Sequence, residues 1–306
     1  MSFADPALHR SYLYAPGSSS AVMRKALGVG ADAVILDLED AVAADAKARA
    51  RTEVAELLAE RVRSNGPSPF PTDVRPSSGS DLHVRINRAG AGYCETDLET
   101  VVRPGLDAIR LPKAESPEAI VAVASALDQL ERTRDLPPGR IRLYPTVESA
   151  IGAVSIASLA TATPRVVRFA IGTADLLADL GVSLDDDLTT LHIRSELVLR
   201  SRAAGIGPPI DSVHTDLDDE AGLRAGAERA RSLGFHGKSV IHPRQLAIVH
   251  DVFTPTEQQL VWAEQIIAAM DAAERDARGA VTLDGEFVDA AIVARARAVL
   301  SLRSRR

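Results

Sequence analysis

One stretch of the sequence, residues 140–181, constrains the fold more than any other. It contains two apolar runs, residues 141–147 and 166–172, and a helix-like pattern follows each of them directly. A strand that leads at once into a helix, repeated along the chain, is typical of βα units in a parallel sheet. The stretch therefore predicts two consecutive parallel strands, each followed by its own helix.

The same alternation extends over most of the chain. Eight apolar runs of strand length occur between residues 11 and 242: 11–15, 31–36, 82–87, 107–113, 141–147, 166–172, 207–213 and 238–242. Eight strand–helix pairs in succession indicate an α/β fold of the (β/α)8, or TIM-barrel, type. We predict a catalytic barrel over residues 1–252. A C-terminal helical extension, residues 253–306, exceeds what the barrel needs and is expected to pack on a neighbour or cover a site.

Length and composition narrow the class of function. The 306 residues are enough for one large barrel, and the net charge of −7, with basic and acidic residues interspersed, argues against a nucleic-acid partner. The single cysteine, Cys94, excludes an internal disulfide and agrees with a reducing compartment. Neither a signal peptide nor a run of about 20 apolar residues is present, so a cytoplasmic protein without membrane association is expected. Residues 64–80, rich in Pro, Ser and Gly, predict a surface loop.

Two carboxylates follow consecutive predicted strands. Glu148 comes directly after the fifth strand, and Asp175 lies just after the sixth. Neighbouring parallel strands are about 4.8 Å apart, so both side chains can reach one point, where a hard divalent cation would relieve their repulsion. We therefore predict a Mg²⁺ site with few protein ligands, open to substrate and water. The alternatives are that Glu148 caps the following helix and that Asp175 is an ordinary turn residue.

The other strand ends add both acids and bases to this rim. The set consists of Asp37, Glu39, Asp40, Arg85, Lys113, Glu148, Asp175, Asp211 and His242. Acids suit a cation and Arg or Lys suits an anion, so the rim fits a metal-chelated carboxylate substrate. Lys113 is compatible with a Schiff-base role, but an ion pair with Glu115 or Asp40 is the preferred interpretation. For His242 we favour a hydrogen-bonded strand-end residue over a ligand or base, and Asp211 is assigned no role.

At this point several motifs resemble a known family, the citrate lyase β-subunit family within the HpcH/HpaI aldolase group. They cover nearly the whole chain in order: RSYLYAPG, GADAVILDLEDAV, VRIN, LPKAES, TVESAIG, FAIGTADLLADLG and GFHGKSVIHPRQ. The resemblance implies a (β/α)8 barrel in a homo-oligomer, a trimer or hexamer. It also implies Mg²⁺ held by Glu148 and Asp175, and reversible carbon–carbon cleavage of a 3-hydroxyacyl-coenzyme A such as malyl-, citramalyl- or citryl-coenzyme A. The products would be a 2-oxo acid and an acyl-coenzyme A.

The resemblance also implies roles for individual residues. Arg85, in the VRIN match, would bind the substrate carboxylate, and Arg10, in the RSYLYAPG match, would assist. Glu39 and Asp40 would line the rim, and Lys113, in the LPKAES match, would border the substrate. A lid motif of stand-alone family members, resembling DGxxVD, reaches over the site of the neighbouring subunit.

In this sequence the lid motif reads LDGEFVD and ends at Asp289, which would act as the catalytic base. The alternative is that Asp289 is only the N-cap of the last helix.

Other functions remain open at this stage. The chain is also compatible with a malyl-coenzyme A thioesterase, with a citrate lyase β subunit that takes its substrate from an acyl carrier protein, and with a non-catalytic thioester-binding subunit. A non-catalytic homologue would be expected to have lost at least one residue of the site. Because Arg85, Glu148, Asp175 and Asp289 are all present, a carbon–carbon lyase is the preferred prediction.

Overall fold

The computed structural model describes residues 8–65, 79–183, 187–275, 281–283 and 286–303. The chain divides into two compact units, Met1–Val249 and His250–Arg306. Most of the predicted surface loop at residues 64–80 lies outside the described residues, and residues 64–65 belong to a helix.

The first unit contains seven parallel strands in the order β6-β5-β4-β3-β2-β1-β7. They are β1 (Ser11–Pro16), β2 (Ala33–Asp37), β3 (Asp81–Arg85), β4 (Ala108–Leu111), β5 (Arg142–Val147), β6 (Ala170–Ile171) and β7 (Lys238–Val240). Two bridges, Ala170 to Ile210 and Asp211 to Lys238, connect the two edges of this sheet. Residues 210–211 thus take the eighth position, where the sequence predicts the longer strand 207–213. The predicted (β/α)8 barrel is confirmed.

Helices cover the outside of the sheet. They are α1 (Ser20–Leu27), α2 (Lys47–Asn65), α3 (Cys94–Val101), α4 (Pro117–Thr133), α5 (Ala150–Ala160), α6 (Thr173–Leu180), α7 (Asp187–Ala203), α8 (Glu220–Leu233) and α9 (Leu246–Phe253), which crosses the unit boundary. β2 is buried at every position, as expected for a strand with the barrel interior on one side and helices on the other.

The second predicted helix starts later than the sequence indicates. We expect it from residue 41, but the chain first forms a 3-10 turn at Ala44–Ala46 and α2 begins at Lys47. Asp37 explains the delay, because its carboxylate accepts hydrogen bonds from the backbone of Glu39 at 2.9 Å and of Ala41 at 3.1 Å. The acids after β2 are therefore held in a loop at the rim.

A bulge interrupts the pairing of the fifth and sixth strands. Leu143 pairs with Val166, whereas Thr146 pairs with Ala170, so three steps along β5 correspond to four steps along its neighbour. One extra residue of this kind bends a strand and changes the direction of the side chains after it. The predicted strand 166–172 is therefore continuous only at Ala170–Ile171, directly before the helix that carries Asp175.

The second unit has a small core of its own. It consists of α10 (Glu257–Arg275), the antiparallel pair β8 (Val281–Leu283) and β9 (Glu286–Val288), and α11 (Ala290–Ser301). Ile266, Met270, Val288 and Val293 are buried together within it. Across both units, the described helices include none with the length and apolar character that a bilayer crossing requires.

Candidate active site

The structure brings most of the predicted site residues to one end of the barrel. Asp37 and Arg85 are the last residues of β2 and β3 and pair in register. Lys113 and Glu148 follow β4 and β5, and Asp175 lies in the first turn of α6. Because the carboxyl ends of parallel strands share one rim, these five residues surround a common region.

Arg85 is held by Asp37, a rim carboxylate to which the sequence assigns no role. Its Nε donates to Asp37 Oδ1 at 2.7 Å and its Nη2 to Asp37 Oδ2 at 2.6 Å. The guanidinium also lies over the ring of Tyr14, with 5.1 Å from Cζ to the ring centre. Burial opposes the charge, but the bonds to Asp37 raise the pKa of Arg85 above its usual value. Arg85 is therefore a fixed cation, because two bonds to one carboxylate orient the guanidinium.

The third nitrogen of Arg85 is near two further acids. Arg85 Nη1 is 2.9 Å from Glu39 Oε2 and 3.5 Å from Asp40 Oδ2. Glu39 is buried, and its Oε2 makes no aligned hydrogen bond despite this short distance. Burial raises the pKa of Glu39 to about 8; Arg85 opposes this shift and the charges of Asp40 and Glu148 add to it. Negative charge is thus in excess around Arg85.

Glu148 is the most enclosed of the predicted metal ligands. Its Oε1 accepts a hydrogen bond from the backbone N–H of Lys113 at 2.7 Å. Lys113 has the positive φ of 47°, a conformation that few non-glycine residues adopt. Burial raises the pKa of Glu148 to about 7, the Lys113 bond opposes the shift, and Asp175 increases it. The charge of Asp175 therefore acts directly on Glu148.

A glycine creates the space that Glu148 occupies. A Cβ atom at Gly172 would lie only 2.3 Å from Glu148 Oε2. Gly172 follows β6 and caps α6, so the same residue admits the Glu148 carboxylate and starts the helix of Asp175. In the sequence Gly172 is only the end of a predicted strand, because its proximity to Glu148 depends on the pairing of β5 with β6.

Polar contacts fix the start of α6. Thr173 N–H donates to Ser212 Oγ at 3.1 Å, and Arg194 Nη2 donates to Thr173 Oγ1 at 3.3 Å. Arg194 is itself anchored by Asp211, which also accepts a bond from Lys238, both at 2.5 Å. Asp211, to which no role is assigned from sequence, thus belongs to a buried charge cluster behind the rim. This cluster positions the helix that carries Asp175.

The two alternatives for the metal ligands do not hold in the structure. Ser149, not Glu148, caps α5, because its side chain accepts a hydrogen bond from Gly152 N–H. Asp175 is a helical residue rather than a turn residue. The donor set fits a hard divalent cation, because the charge of Asp175 raises the pKa of a buried Glu148 and a shared cation would relieve that repulsion. Within the described residues no three His, Cys, Asp or Glu side chains form a complete metal cluster.

A cleft of about 370 Å³ opens beside the rim. Its lining comprises Glu39, Asp40, Val42, Lys47, Asn87, Arg88, Ala91, Tyr93 and Lys113. Lys47 donates its Nζ to the backbone oxygens of Leu38 and Glu39 at 2.8 and 2.9 Å, so it holds the loop after β2. The preferred ion pair of Lys113 with Glu115 or Asp40 is wrong, because the described contacts include neither. Lys113 instead lines the cleft, and its backbone N–H donates to Glu148.

Arg10 is expected to assist Arg85 in binding the substrate, but it does not lie at the site. Arg10 precedes β1 and therefore lies at the amino end of the strands, opposite the rim. Its Nε and Nη2 donate to the two oxygens of Asp32, each at 2.9 Å. Asp32 precedes β2, so the pair joins two strand starts.

His242 takes the hydrogen-bonded role that the sequence favours. It caps a 3-10 turn, Pro243–Gln245, and its Nδ1 accepts a bond from Arg244 N–H at 3.1 Å.

Asp289 belongs to the second unit. It is the N-cap of α11, and its Oδ1 accepts hydrogen bonds from Ala291 N–H at 2.9 Å and Ile292 N–H at 3.1 Å. Asp289 therefore does cap the last helix, while its role as a base stays a prediction. Both bonds use Oδ1, so the cap itself does not engage Oδ2.

The chain is similar to known proteins of one family. The family model described as HpcH/HpaI aldolase/citrate lyase matches residues 10–243. Citrate lyase subunit beta of Leuconostoc mesenteroides subsp. cremoris is 32% identical, over 96% of this chain and 93% of the relative. A (3S)-malyl-CoA thioesterase of Cereibacter sphaeroides is 35% identical, over 95% of this chain and 93% of the relative.

A solved structure extends the similarity to three dimensions. Protein CitE from Mycobacterium tuberculosis, in complex with magnesium, acetoacetate and coenzyme A, matches with a TM-score of 0.74 and 30% identity. The match covers 98% of this chain and 99% of CitE. The likeness therefore includes both the barrel and the C-terminal helices.

Proposed function

The chain belongs to the HpcH/HpaI aldolase/citrate lyase family, and we propose that it is a Mg²⁺-dependent carbon–carbon lyase acting on a 3-hydroxyacyl-coenzyme A. The family includes lyases, and a structural neighbour binds magnesium and coenzyme A. One observation carries the proposal: the carboxylate pair Glu148 and Asp175 and the fixed cation Arg85 share one rim of the barrel. The reaction would be a retro-aldol or retro-Claisen cleavage of a malyl-, citramalyl- or citryl-type thioester to a 2-oxo acid and an acyl-coenzyme A.

Glu148 and Asp175 would hold the metal ion. When bound, Mg²⁺ supplies a positive charge that orients substrate oxygens and stabilises developing negative charge. Glu148 is prepared for this role because Gly172 admits its carboxylate and Lys113 N–H orients it. Asp175 is oriented by the fixed first turn of α6.

Arg85 would bind the substrate carboxylate through one edge of its guanidinium. Asp37 occupies the Nε and Nη2 edge, whereas Nη1 lies near Glu39 and Asp40 without an ideal partner. An incoming carboxylate would bind at Nη1 and the second N–H of Nη2, and it would displace the two acids from Nη1. Asp37 would keep the side of the guanidinium that includes Nε, and the substrate would bind the opposite side.

Asp289 is proposed as the base. It would remove the proton from the substrate hydroxyl, the bond between the hydroxyl-bearing carbon and the carbon next to the thioester would break, and its electron pair would form the thioester enolate. A proton delivered to that enolate carbon completes the acyl thioester. As the resemblance implies, Asp289 would come from a neighbouring subunit, so the active enzyme would be a homo-oligomer, a trimer or hexamer.

Exposed apolar side chains support the homo-oligomer. Ile151 and Val154 on α5 are 59% and 86% exposed, and Leu188 and Leu199 on α7 are 78% and 61% exposed. These two helices pack against one another in one chain. Apolar side chains on neighbouring helices are typical of surfaces that a subunit covers. Light scattering on the purified protein measures the assembly directly; a monomer would contradict this part of the proposal.

A thioesterase is the second candidate, and one observation favours it. The malyl-coenzyme A thioesterase relative is 35% identical, whereas the citrate lyase relative is 32% identical, over similar shares of the chain. In a thioesterase, water would attack the thioester carbonyl and the carbon–carbon bond would remain intact.

A turnover assay separates the two candidates. Purified protein is incubated with Mg²⁺ and malyl-, citramalyl-, β-methylmalyl- or citryl-coenzyme A, and released 2-oxo acid and free coenzyme A are measured separately. A lyase releases a 2-oxo acid before any free coenzyme A, and EDTA abolishes the release. Free coenzyme A without a 2-oxo acid would support the thioesterase. No product with any substrate would contradict both.

A further inference from the structure

A second polar region lies inside the barrel, below the rim. Arg110, in β4, is fully buried, and its guanidinium carbon lies 4.5 Å from the ring centre of Tyr12 and 4.9 Å from that of Tyr144. Its Nε is 3.3 Å from His83 Nδ1, but Nη1 and Nη2 have no hydrogen-bond partner. Arginine keeps its proton in proteins, so four buried N–H groups lack acceptors. Burying N–H groups without acceptors costs free energy unless a bound molecule or ion provides the acceptors.

Among the residues that the structure describes, no carboxylate pairs with Arg110. The described ion pairs include none of Arg110, nor of Arg168, a second fully buried arginine. Arg168 donates to Tyr12 Oη at 2.6 Å and to the backbone oxygens of Pro208 and His236. Burial raises the pKa of Tyr12 to about 12, so this phenol is neutral. Two cations are thus buried among neutral acceptors.

The neighbouring strand shows what Arg110 lacks. Arg85 and Arg110 are paired in register on β3 and β4. The Asp37 carboxylate binds the guanidinium of Arg85, whereas the described partners of the Arg110 guanidinium are two aromatic rings and an imidazole. Two arginines side by side repel each other, so a negative charge at Arg110 would stabilise both positions.

The number of unpartnered donors and acceptors near Arg110 indicates whether an anion or water fits there. His83 Nδ1 accepts from Arg110, so Nε2 carries the proton, and this N–H is also buried without a partner. The hydroxyls of Tyr144 and Thr146, at successive inward positions of β5, are unpartnered as well. The unpartnered groups of these four residues thus comprise five N–H donors and two hydroxyl oxygens. Each water molecule brings as many donors as acceptors and leaves this excess unchanged, whereas a halide ion only accepts.

We propose that the barrel interior binds a small monovalent anion of chloride size, held by Nη1 and Nη2 of Arg110. The site is separate from the substrate cleft, because Arg110 is fully enclosed. The anion completes the charge balance beneath Arg85 and does not take part in the reaction, so the proposal stands whether or not the lyase assignment is correct.

Crystals of the whole protein grown in bromide test the site directly. We expect an anomalous bromide peak within hydrogen-bonding distance of Arg110 Nη1 or Nη2. Anomalous signal only on the outer surface, with ordinary water density at Arg110, would overturn the proposal.

Thermal unfolding provides an independent measurement in solution. The protein is prepared in sodium gluconate, whose anion is too large for the interior, and is titrated with chloride at constant ionic strength. We expect a saturable rise in Tm for the wild type, because a ligand that binds only the native state stabilises it. Arg110→Met should remove the rise and Arg132→Met, on the exposed face of α4, should retain it.

An equal chloride response in wild type and Arg110→Met, or no response in the wild type, would overturn the proposal. If Arg110→Met does not fold, the bromide experiment on the wild type remains decisive.

Discussion

The two ends of the barrel use charged residues in opposite ways. At the amino end the charges are paired: Arg10 with Asp32, Arg61 with Asp107, and both His9 and Arg142 with Asp81. At the carboxyl end, Arg85 is surrounded by three acids, and Glu148 and Asp175 lie nearby. Burial opposes ionisation of Asp81, yet His9 and Arg142 keep its pKa below its usual range. The pKa values of Glu39 and Glu148 are raised.

This difference separates stability from function within one fold. Paired charges at the strand starts join neighbouring strands, whereas unbalanced acids at the strand ends create a region that a cation and an anionic substrate would complete. The same contrast is general for barrels of this type, in which the carboxyl face carries the chemistry. Substitutions at matched positions of the two ends should therefore have different consequences.

The largest effect is expected for Glu148→Gln. Loss of a metal ligand removes several kcal/mol of transition-state stabilisation, so kcat should fall on the order of 10³-fold or more. The fold should remain, because the amide retains the Lys113 contact. Asp81→Asn at the amino end should instead lower the free energy of unfolding by about 3–5 kcal/mol, with kcat of the folded protein nearly unchanged. Steady-state kinetics and urea unfolding measure both; normal turnover by Glu148→Gln would refute the metal assignment.

A second matched pair compares two arginines. Arg85→Lys keeps the charge but loses the planar guanidinium, which binds Asp37 on one side and would bind the substrate on the other. We expect kcat/KM to fall about 10²-fold, mainly through KM, since a charged hydrogen-bonded partner is worth about 2–5 kcal/mol. Arg10→Lys should reduce stability without a change in KM. A comparable rise of KM in both variants would mean that Arg10 reaches the substrate after all.

A third test adds one methyl group at the rim. Gly172→Ala places a Cβ 2.3 Å from Glu148 Oε2 and must displace that carboxylate. Mn²⁺ affinity should fall about 10–100-fold, the range seen when the support of a metal ligand is lost. Gly226→Ala is the control, because a Cβ there meets no atom within 4 Å and helix α8 should tolerate it. Unchanged Mn²⁺ binding by Gly172→Ala would show that Glu148 is not a ligand.

The smallest effect concerns pH in the metal-free protein. Glu39 and Glu148 have pKa values of about 8 and 7 in the folded chain, above the usual 4.5. The folded state therefore retains these protons longer than the unfolded state, and ionisation of either group destabilises the fold as pH rises from about 5 to 8.

Glutamine cannot ionise, so the stability of Glu148→Gln relative to wild type should increase across this window. Glu118→Gln, an exposed residue of α4, should show no such trend. Urea unfolding in EDTA at several pH values measures the difference, and a decrease with rising pH would contradict the raised pKa.

Sequence patterns predict the barrel well because each strand and helix has its own local pattern of apolar and polar residues. The apolar runs and their spacing predict that Glu148 and Asp175 follow consecutive strands, and in the structure the charge of Asp175 does act on Glu148. The resemblance placed Arg10 at the substrate, whereas its position before β1 puts it at the opposite end. The bidentate hold of Asp37 on Arg85 depends on strand register, which local patterns do not encode.

The bulge before α6 illustrates the same limit. One extra residue between Val166 and Ala170 changes which side chains enter the barrel, yet nothing in the apolar run 166–172 marks it. The importance of Gly172 can be recognised only once β5 and β6 are paired, because its missing side chain leaves space for the Glu148 carboxylate. Nothing in the sequence distinguishes Arg110 from other strand residues. Its unpartnered nitrogens become evident only in the folded barrel.

The most direct test of the central claim is the location of a bound divalent cation. Crystals of the wild type grown with Mn²⁺ and a 2-oxo acid should show one anomalous peak between the carboxylates of Glu148 and Asp175, with the carboxylate of the acid near Arg85. Glu148→Gln crystals should lack the peak. A Mn²⁺ site elsewhere in the chain, with these two carboxylates uncoordinated, would contradict the account.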